Sequence, residues 1–306
     1  MHQPPMVSIL LPTFNRARFI AGAVETVLAQ TYLHWELLIV IDGSTDDTEA
    51  VVAPYLAKEP RRIRCISQPN AGQGAARNRA LAEANGPYVA FLDDDDRWVA
   101  DKLEAQVAYL EAHLQVGLCY ARAGAWANPS SFSELLQPFS SIMPSSVMMR
   151  TAWLRQIGGF RPLSFQEDYD LWLRFAQQWR LGVIDRKLMH VAAGERLTLS
   201  SDLMRSHRLA ITVLRELRLT PANRRYWWKK QRYIGYLNYL LAREHYVEQR
   251  YWPATRHFLS ALWCDPGIGL RFRQPHDTGL RLIARILKSY AAVPACLLRG
   301  VLHAAR

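Results

Sequence analysis

Apolar and polar residues come in blocks along the first hundred residues, and the period changes from block to block. Val7-Ser-Ile-Leu-Leu11 is a short β-branched and apolar run, ended by Pro12 and the polar Asn15-Arg16, and it predicts a buried strand. Across 19–28 the apolar residues Phe19, Ile20, Ala23, Val24, Val27 and Leu28 recur at helical spacing. The alternation repeats, with strands predicted over 36–41, 62–67 and 88–92 and helices over 48–57, 75–84 and 100–114. This order predicts an α/β fold, a mostly parallel sheet with helices on both faces. Region 117–166 is less regular, Gly158-Gly159-Phe160 reads as a turn, and a helix is predicted over 167–179.

Beyond residue 201 the pattern is mainly helical. Segments 225–243 and 251–264 carry aromatic and aliphatic residues three and four apart, and 242–262 loosely resembles one helix-turn-helix unit of a tetratricopeptide array. Charge changes at the same place. Residues 1–200 carry a formal charge of −2 and residues 201–306 carry +13, which together give the chain's +11. The sequence therefore predicts two modules, 1–200 and 201–306, the second suited to an anionic partner. In 280–290, Arg281, Arg285 and Lys288 share one helical face while Leu282, Ile283, Ile286 and Tyr290 occupy another, as in a helix attached to an anionic membrane surface or packed with its basic face solvated. Nucleic acid is the weaker candidate, because no base-reading motif accompanies the charge.

The four cysteines are far apart with no C-x-x-C pair, which suits a reducing compartment and no zinc site. No apolar run of signal-peptide type precedes Val7, and no run reaches the ~18–20 residues of a membrane span. The expected location is the cytoplasm, peripheral on the inner face of the membrane where the basic half attaches.

Three predicted strands end in polar motifs, and ligands of open α/β sheets bind beyond such ends. Phe91-Leu-Asp-Asp-Asp-Asp-Arg-Trp98 sets four carboxylates side by side, an arrangement that asks for a cation or open solvent. Mg²⁺ or Mn²⁺ takes one or two carboxylates together with substrate phosphate oxygens; the alternative is a solvated turn capping the next helix. Asp42-Gly-Ser-Thr-Asp-Asp47 offers a carboxylate to a base or ribose, or is a common turn capping a helix. Glu167-Asp168 at a helix start offers a general base, or is acidic charge favoured by the helix dipole. Gly72-Gln-Gly-Ala-Ala-Arg77 begins like a dinucleotide fingerprint, yet Arg77 stands where a small residue is needed. That loop reads instead as a contact to a diphosphate through Arg77, or as a surface ion pair.

Taken in order, Val7-Ser-Ile-Leu-Leu-Pro-Thr-Phe-Asn15, Leu28-Ala-Gln-Thr-Tyr32, Asp42-Gly-Ser-Thr-Asp46, Asn70-Ala-Gly-Gln-Gly-Ala-Ala-Arg-Asn78, Phe91-Leu-Asp-Asp-Asp-Asp96 and Glu167-Asp168 resemble the family 2 glycosyltransferases over roughly residues 6–200. The resemblance implies a GT-A nucleotide-sugar fold with a C-terminal helical extension, and transfer of a sugar from a nucleotide-diphosphate donor to an acceptor hydroxyl with inversion. It also implies roles. Thr13 and Asn15 would line the nucleotide edge, Asp42 would meet the base, and Asp93 the donor ribose. Asp95 would hold Mn²⁺ or Mg²⁺, and Asp168, beside Glu167, would be the catalytic base. Trp172 and Ser145 would lie near a glycan or lipid-linked acceptor, in cell-surface polysaccharide or glycolipid assembly. Two positions depart from the family pattern. Ile41 replaces a frequent first Asp, and His190, a candidate metal or phosphate ligand, lacks the usual flanking residues. A nucleotide-sugar-forming nucleotidyltransferase and a non-catalytic sugar- or lipid-binding scaffold are the competing classes. The first lacks its Gly-rich basic loop after the first strand, and the second leaves the acidic motifs without a purpose.

Overall fold

The computed structural model describes residues 4–122, 128–137, 142–163, 166–191, 203–266 and 268. The chain divides into two compact units, one of residues 1–135 and 139–196 and the other of 136–138 and 197–306.

The first unit begins with the predicted alternation: β1 (Val7–Thr13), α1 (Ala17–Leu28), β2 (Trp35–Asp42), α2 (Thr48–Lys58), β3 (Ile63–Gln68), α3 (Gln73–Glu83) and β4 (Tyr88–Phe91). The two-residue β5 (Arg97–Trp98), α4 (Lys102–Ala112), β6 (Val116–Ala121) and α5 (Phe132–Leu135) follow. It then continues through β7 (Val147–Arg150), α6 (Thr151–Gln156), α7 (Glu167–Ala176), β8 (Arg180–Ile184) and β9 (Met189–His190). Seven strands form one sheet in the order β3-β2-β1-β4-β7-β6-β8, and β5 pairs with β9 apart from it.

Every residue of β1 and β2 is buried. That is why these strands read as continuous apolar runs, since a parallel sheet covered on both faces hides both side-chain sets. Ile20, Val24 and Val27 of α1 close over Ile9, Leu11 and Leu37 in the same core. Under the amino ends of the strands lies a buried polar knot. Ser8 Oγ donates to Glu36 Oε1 at 2.6 Å, and the Asn85 amide donates to the same oxygen at 2.7 Å.

Five strands were not anticipated, among them the two-residue β5 and β9. Within the region read as irregular lie β6, buried throughout and so without alternation, and β7, only four residues long. The predicted helix over 167–179 stops at Ala176 and gives way to β8. β7 runs antiparallel to both β4 and β6, so the sheet is parallel only in part.

The second unit contains α8 (Leu203–Glu216), a 3-10 turn (Pro221–Tyr226), α9 (Trp227–Val247) and α10 (Tyr251–Cys264). α9 packs on both α8 and α10. The helix-turn-helix read at 242–262 corresponds to the end of α9, a turn at Glu248–Arg250 and α10. The basic segment 280–290 lies outside the described residues. Among the described residues no helix is long and apolar enough to cross a membrane.

Candidate functional site

β1, β2 and β4 are parallel neighbours, so the motifs that follow them emerge at one edge of the sheet. Asp42, the last residue of β2, is 3% exposed. Its Oδ1 accepts from Gln68 Nε2 at 2.7 Å and from the Ala71 amide at 2.9 Å, and its Oδ2 accepts from the Gly72 amide at 2.8 Å. Three of the carboxylate's four lone-pair positions therefore hold the end of β3 and the loop before α3, leaving one on Oδ2 without a partner among the described residues. Gly43 permits this closure. Its φ is +77°, and a Cβ there would stand 2.7 Å from the Asn70 nitrogen. Asn15, with φ +53°, accepts the Thr45 amide at 2.7 Å and locks the β1 loop to the β2 loop.

The loop held by Asp42 leads into α3, which carries Gln73 and Arg77. Gln73 Nε2 donates to Asp93 Oδ1 at 3.2 Å. Arg77 is 1% exposed. Its Nη2 donates to Asp93 Oδ1 at 2.7 Å and its Nη1 to Glu167 Oε1 at 3.0 Å. The guanidinium thus ties the end of β4 to the start of α7. Gly74 lets α7 approach, for a Cβ at that position would lie 3.2 Å from Glu167 Cγ. Burial alone would lower the Arg77 pKa, but the Asp93 and Glu167 carboxylates override it and raise it. Both alternatives for Arg77, diphosphate contact and surface pairing, meet a different geometry, because this side chain is interior and spent on two carboxylates.

The four aspartates are dispersed by their partners. Asp93 faces Arg77, and its amide donates to Ser145 Oγ at 2.9 Å. Asp94 lies 3.8 Å from Arg16 Nε. Burial, and then Asp95 and Asp93, push its pKa up to about 7. The Thr13 hydroxyl is buried and makes no well-formed hydrogen bond, yet it lies close enough to Asp94 to favour the charged form. Asp96 is buried. Asp95 is half-buried and makes no ion pair among the described residues; burial and then Asp93 raise its pKa. β5 and β9 place His190 opposite Arg97, two residues beyond Asp95, with the imidazole exposed.

Asp168 follows Glu167 in the first turn of α7. Part of its surface reaches solvent, but it is packed closely enough that burial is the main cause of a pKa raised to about 7. Glu167 and Asp93 raise it further, while Arg77 and the Tyr169 amide act against them. Asp170, in the same turn, is fully buried between Arg161 and Arg174, and so pins the helix that carries Asp168.

The two acceptor candidates are placed differently from the expectation. Trp172 is 1% exposed, donates from Nε1 to the Ile142 carbonyl at 3.1 Å, and packs edge-on against Phe91. Ser145 is fully buried, with its hydroxyl on the Asp93 amide and its carbonyl accepting from Trp98 Nε1 at 2.9 Å. Both hold the acidic turn from behind and have no surface to offer an acceptor. Gln73 and Arg16 were missed as site residues, although Gln73 stands inside a motif already singled out.

Among the described residues no three His, Cys, Asp or Glu side chains converge as a metal cage. The donor set is Asp95, unpaired and facing repulsion, with His190 nearby. It suits a hard divalent ion only where substrate phosphate oxygens complete the coordination.

The profile of glycosyl transferase family 2 matches residues 8–158. A stretch of 199 residues is 32% identical to an uncharacterized glycosyltransferase of Rickettsia felis, covering 60% of this chain and 32% of that protein. The chain thus spans about a third of that relative's length. It is 30% identical over 189 residues to WfgD of Escherichia coli, named a UDP-Glc:alpha-D-GlcNAc-diphosphoundecaprenol beta-1,3-glucosyltransferase, covering 59% of this chain and 73% of WfgD. In structure it resembles S. aureus TarS 1–349 in complex with UDP-GlcNAc, with a TM-score of 0.66 at 20% identity over 96% of this chain and 92% of that one. It also resembles the mannosyltransferase PcManGT of Pyrobaculum calidifontis in complex with GDP-Man and Mn²⁺, with a TM-score of 0.62 at 18% identity over 98% and 87%. The sheet order, the acidic turn after β4 and these likenesses agree: the fold is GT-A, and the chain belongs to glycosyl transferase family 2.

Proposed function

We propose that this chain is an inverting glycosyltransferase that moves a sugar from a nucleotide-diphosphate donor to an acceptor hydroxyl, in the assembly of a cell-surface polysaccharide or lipid-linked glycan. The observation that carries this reading is the bridge from Asp93 through Arg77 to Glu167, which fixes the acidic turn against the helix bearing Asp168. The WfgD and TarS likenesses support a nucleotide-sugar donor, and the WfgD name supports a lipid-linked acceptor.

Thr13, Asn15 and Asp42 border the donor's nucleotide, with the free lone pair on Asp42 Oδ2 as the acceptor for a base N–H. Asp93 reaches the ribose through the oxygen that Arg77 and Gln73 leave open. Asp95, with His190, would hold Mg²⁺ or Mn²⁺ against the diphosphate, and the ion when bound neutralises charge developing on the leaving group. Asp168 removes the acceptor proton as the hydroxyl oxygen forms its bond to the anomeric carbon. The bond from that carbon to the diphosphate breaks on the opposite face, which inverts the centre and releases a nucleoside diphosphate. A base with a pKa near 7 suits this task at neutral pH, because a substantial share of it is ionised and it still takes up a proton well. The basic second unit then offers attachment to an anionic membrane surface on the cytoplasmic side.

A panel of nucleotide sugars, each with Mn²⁺, Mg²⁺ or excess chelator, identifies the donor by turnover. With that donor, Asp168→Asn is expected to lower transfer about 10²–10⁴-fold while calorimetry finds donor binding nearly unchanged. Undiminished transfer, or equal loss of binding and turnover, overturns the assignment of the base. Full activity in chelator removes the metal from the reading.

A further inference from the structure

The second unit contains a cavity that the catalytic reading does not use. It has a volume of about 520 Å³ and is lined by Arg208, His245, Arg250, Trp252, Pro253, Arg256 and His257. Arg208 comes from α8, His245 from α9, and Arg256 and His257 from α10. Three guanidinium groups therefore meet in one place. Among the described residues one carboxylate pairs with them: Glu248 Oε2 lies 3.5 Å from Arg250 Nη1. Arg256 is exposed and makes no ion pair among the described residues. Trp252 and Pro253 stand in the first turn of α10, whose aligned peptide dipoles add positive charge at that end.

The histidines supply a second, independent observation. His245 is 3% exposed, and its ring stacks on His257 with centroids 5.6 Å apart. Arg208 Nη2 lies 3.1 Å from His245 Nε2. A guanidinium only donates, so Nε2 is the acceptor and the ring's proton sits on Nδ1. That Nδ1 is buried without a hydrogen-bond partner, and Glu248 Oε2 at 3.8 Å is beyond reach. An unpaired buried donor is costly, and it sits here on a ring that lines a cationic cavity. The potential is also felt by His257. Burial, and then His245, Arg208, Arg256 and Arg215, push its pKa down to about 4. The site resists one more proton and would welcome a negative charge.

We infer that this cavity between α8, α9 and α10 is a binding site for a phosphate-bearing ligand. The arginines take the phosphate oxygens, and the half-exposed Trp252 lies against the ligand's less polar part. Fork-shaped guanidinium donors suit phosphate, and charge-assisted bonds are the strong ones. The same chemistry is found in a soluble diphosphate and in a phospholipid headgroup.

The test uses the full-length chain with two probes. Inorganic pyrophosphate is titrated by calorimetry, and sedimentation is measured with phosphatidylcholine vesicles with and without phosphatidic acid. The triple variant Arg208→Gln/Arg250→Gln/Arg256→Gln removes the site. Arg224→Gln/Arg225→Gln/Arg232→Gln removes the same charge from exposed positions elsewhere in this unit. The replaced arginine side chains are exposed, so thermal unfolding of both variants should match the parent; Arg256→Gln alone gives the same reading if the triple variant unfolds. Binding of pyrophosphate that weakens about tenfold or more in the site variant, and little in the control, establishes a site for soluble phosphates. The same contrast seen only with phosphatidic acid vesicles establishes a headgroup site. Absence of binding to both probes, or equal weakening in the two variants, overturns the proposal.

Discussion

Replacing Arg77 by methionine keeps an unbranched apolar stem and removes the charge that joins α3, the β4 turn and α7. The guanidinium is 1% exposed, and the side chains it pairs with are 23% exposed for Asp93 and 9% for Glu167. Removing one partner of a buried pair strands the others, at a cost of about 3–5 kcal/mol. Solvent reaches Asp93 more than Glu167, so the loss should fall toward the lower part of that range. For a unit of this size each kcal/mol moves Tm by about 2–4 °C, so calorimetry should find a fall of roughly 6–16 °C. A second effect separates the bridge from ordinary packing. Arg77 opposes the rise in the Asp168 pKa, so its loss raises that pKa further above about 7. The acid limb of the pH–rate profile for sugar transfer should then move to higher pH. Adding Glu167→Gln should recover part of both losses, because the stranded carboxylate next to Asp168 is gone. A Tm within about 2 °C of the parent, with an unmoved acid limb, would refute the reasoning.

Two other perturbations test separate parts of the first unit. Lys102 is fully buried over the Trp98 ring, bonded to Gln106 and facing no carboxylate among its contacts, and burial pushes its pKa down to about 7 from 10.5. Between those values the unfolded chain binds more protons, so stability should rise with pH, by about 2–3 kcal/mol from pH 7 to 9. Lys102→Met should abolish that slope in denaturant titrations and be the more stable protein at pH 6; a parallel slope would show that the lysine is not the source. Asp42→Ala leaves the amides of Ala71 and Gly72 without an acceptor and should cost about 2–4 kcal/mol. It should also increase hydrogen exchange at those two amides, and unchanged exchange would show that Asp42 does not hold the loop.

Much of the first unit was legible because β1, β2 and β4 are buried on both faces and therefore stand out as apolar runs between helical periods. The runs of β1 and β2 contain Ser8 and Glu36, polar residues that bond to each other, so these interruptions did not break the pattern. β7 escaped because it is only four residues long, and β6 because Gly117, Cys119 and Tyr120 keep Val116–Ala121 from standing out as a plain aliphatic run. The chemistry was legible as an ordered set of motifs, since each lies just beyond a strand end. What no local pattern encodes is which acidic or aromatic side chain turns inward. Trp172 lies one helical turn beyond Asp168, yet it packs inward on Phe91, and Ser145 turns its hydroxyl inward onto the Asp93 amide. Arg77 looked like a surface cation because its two partners lie 16 and 90 residues away.

That inward arginine also explains how four consecutive aspartates persist at a strand end. Left together they would repel one another and take up protons; here each has a different surrounding. Asp93 is neutralised from below by Arg77, Asp94 is turned toward Arg16, and Asp96 is buried, leaving Asp95 as the one without an ion pair among the described residues. The cluster thus leaves a single carboxylate without an ion pair among the described residues, while Arg77 compensates Asp93 and burial favours the protonated form of Asp94. Glu167 and Asp168 follow the same division, one side chain spent on Arg77 and the other left to change its protonation near neutral pH. In both motifs one carboxylate is anchored so that its neighbour is held in position, and the shared anchor, Arg77, joins the turn bearing Asp95 to the helix bearing Asp168.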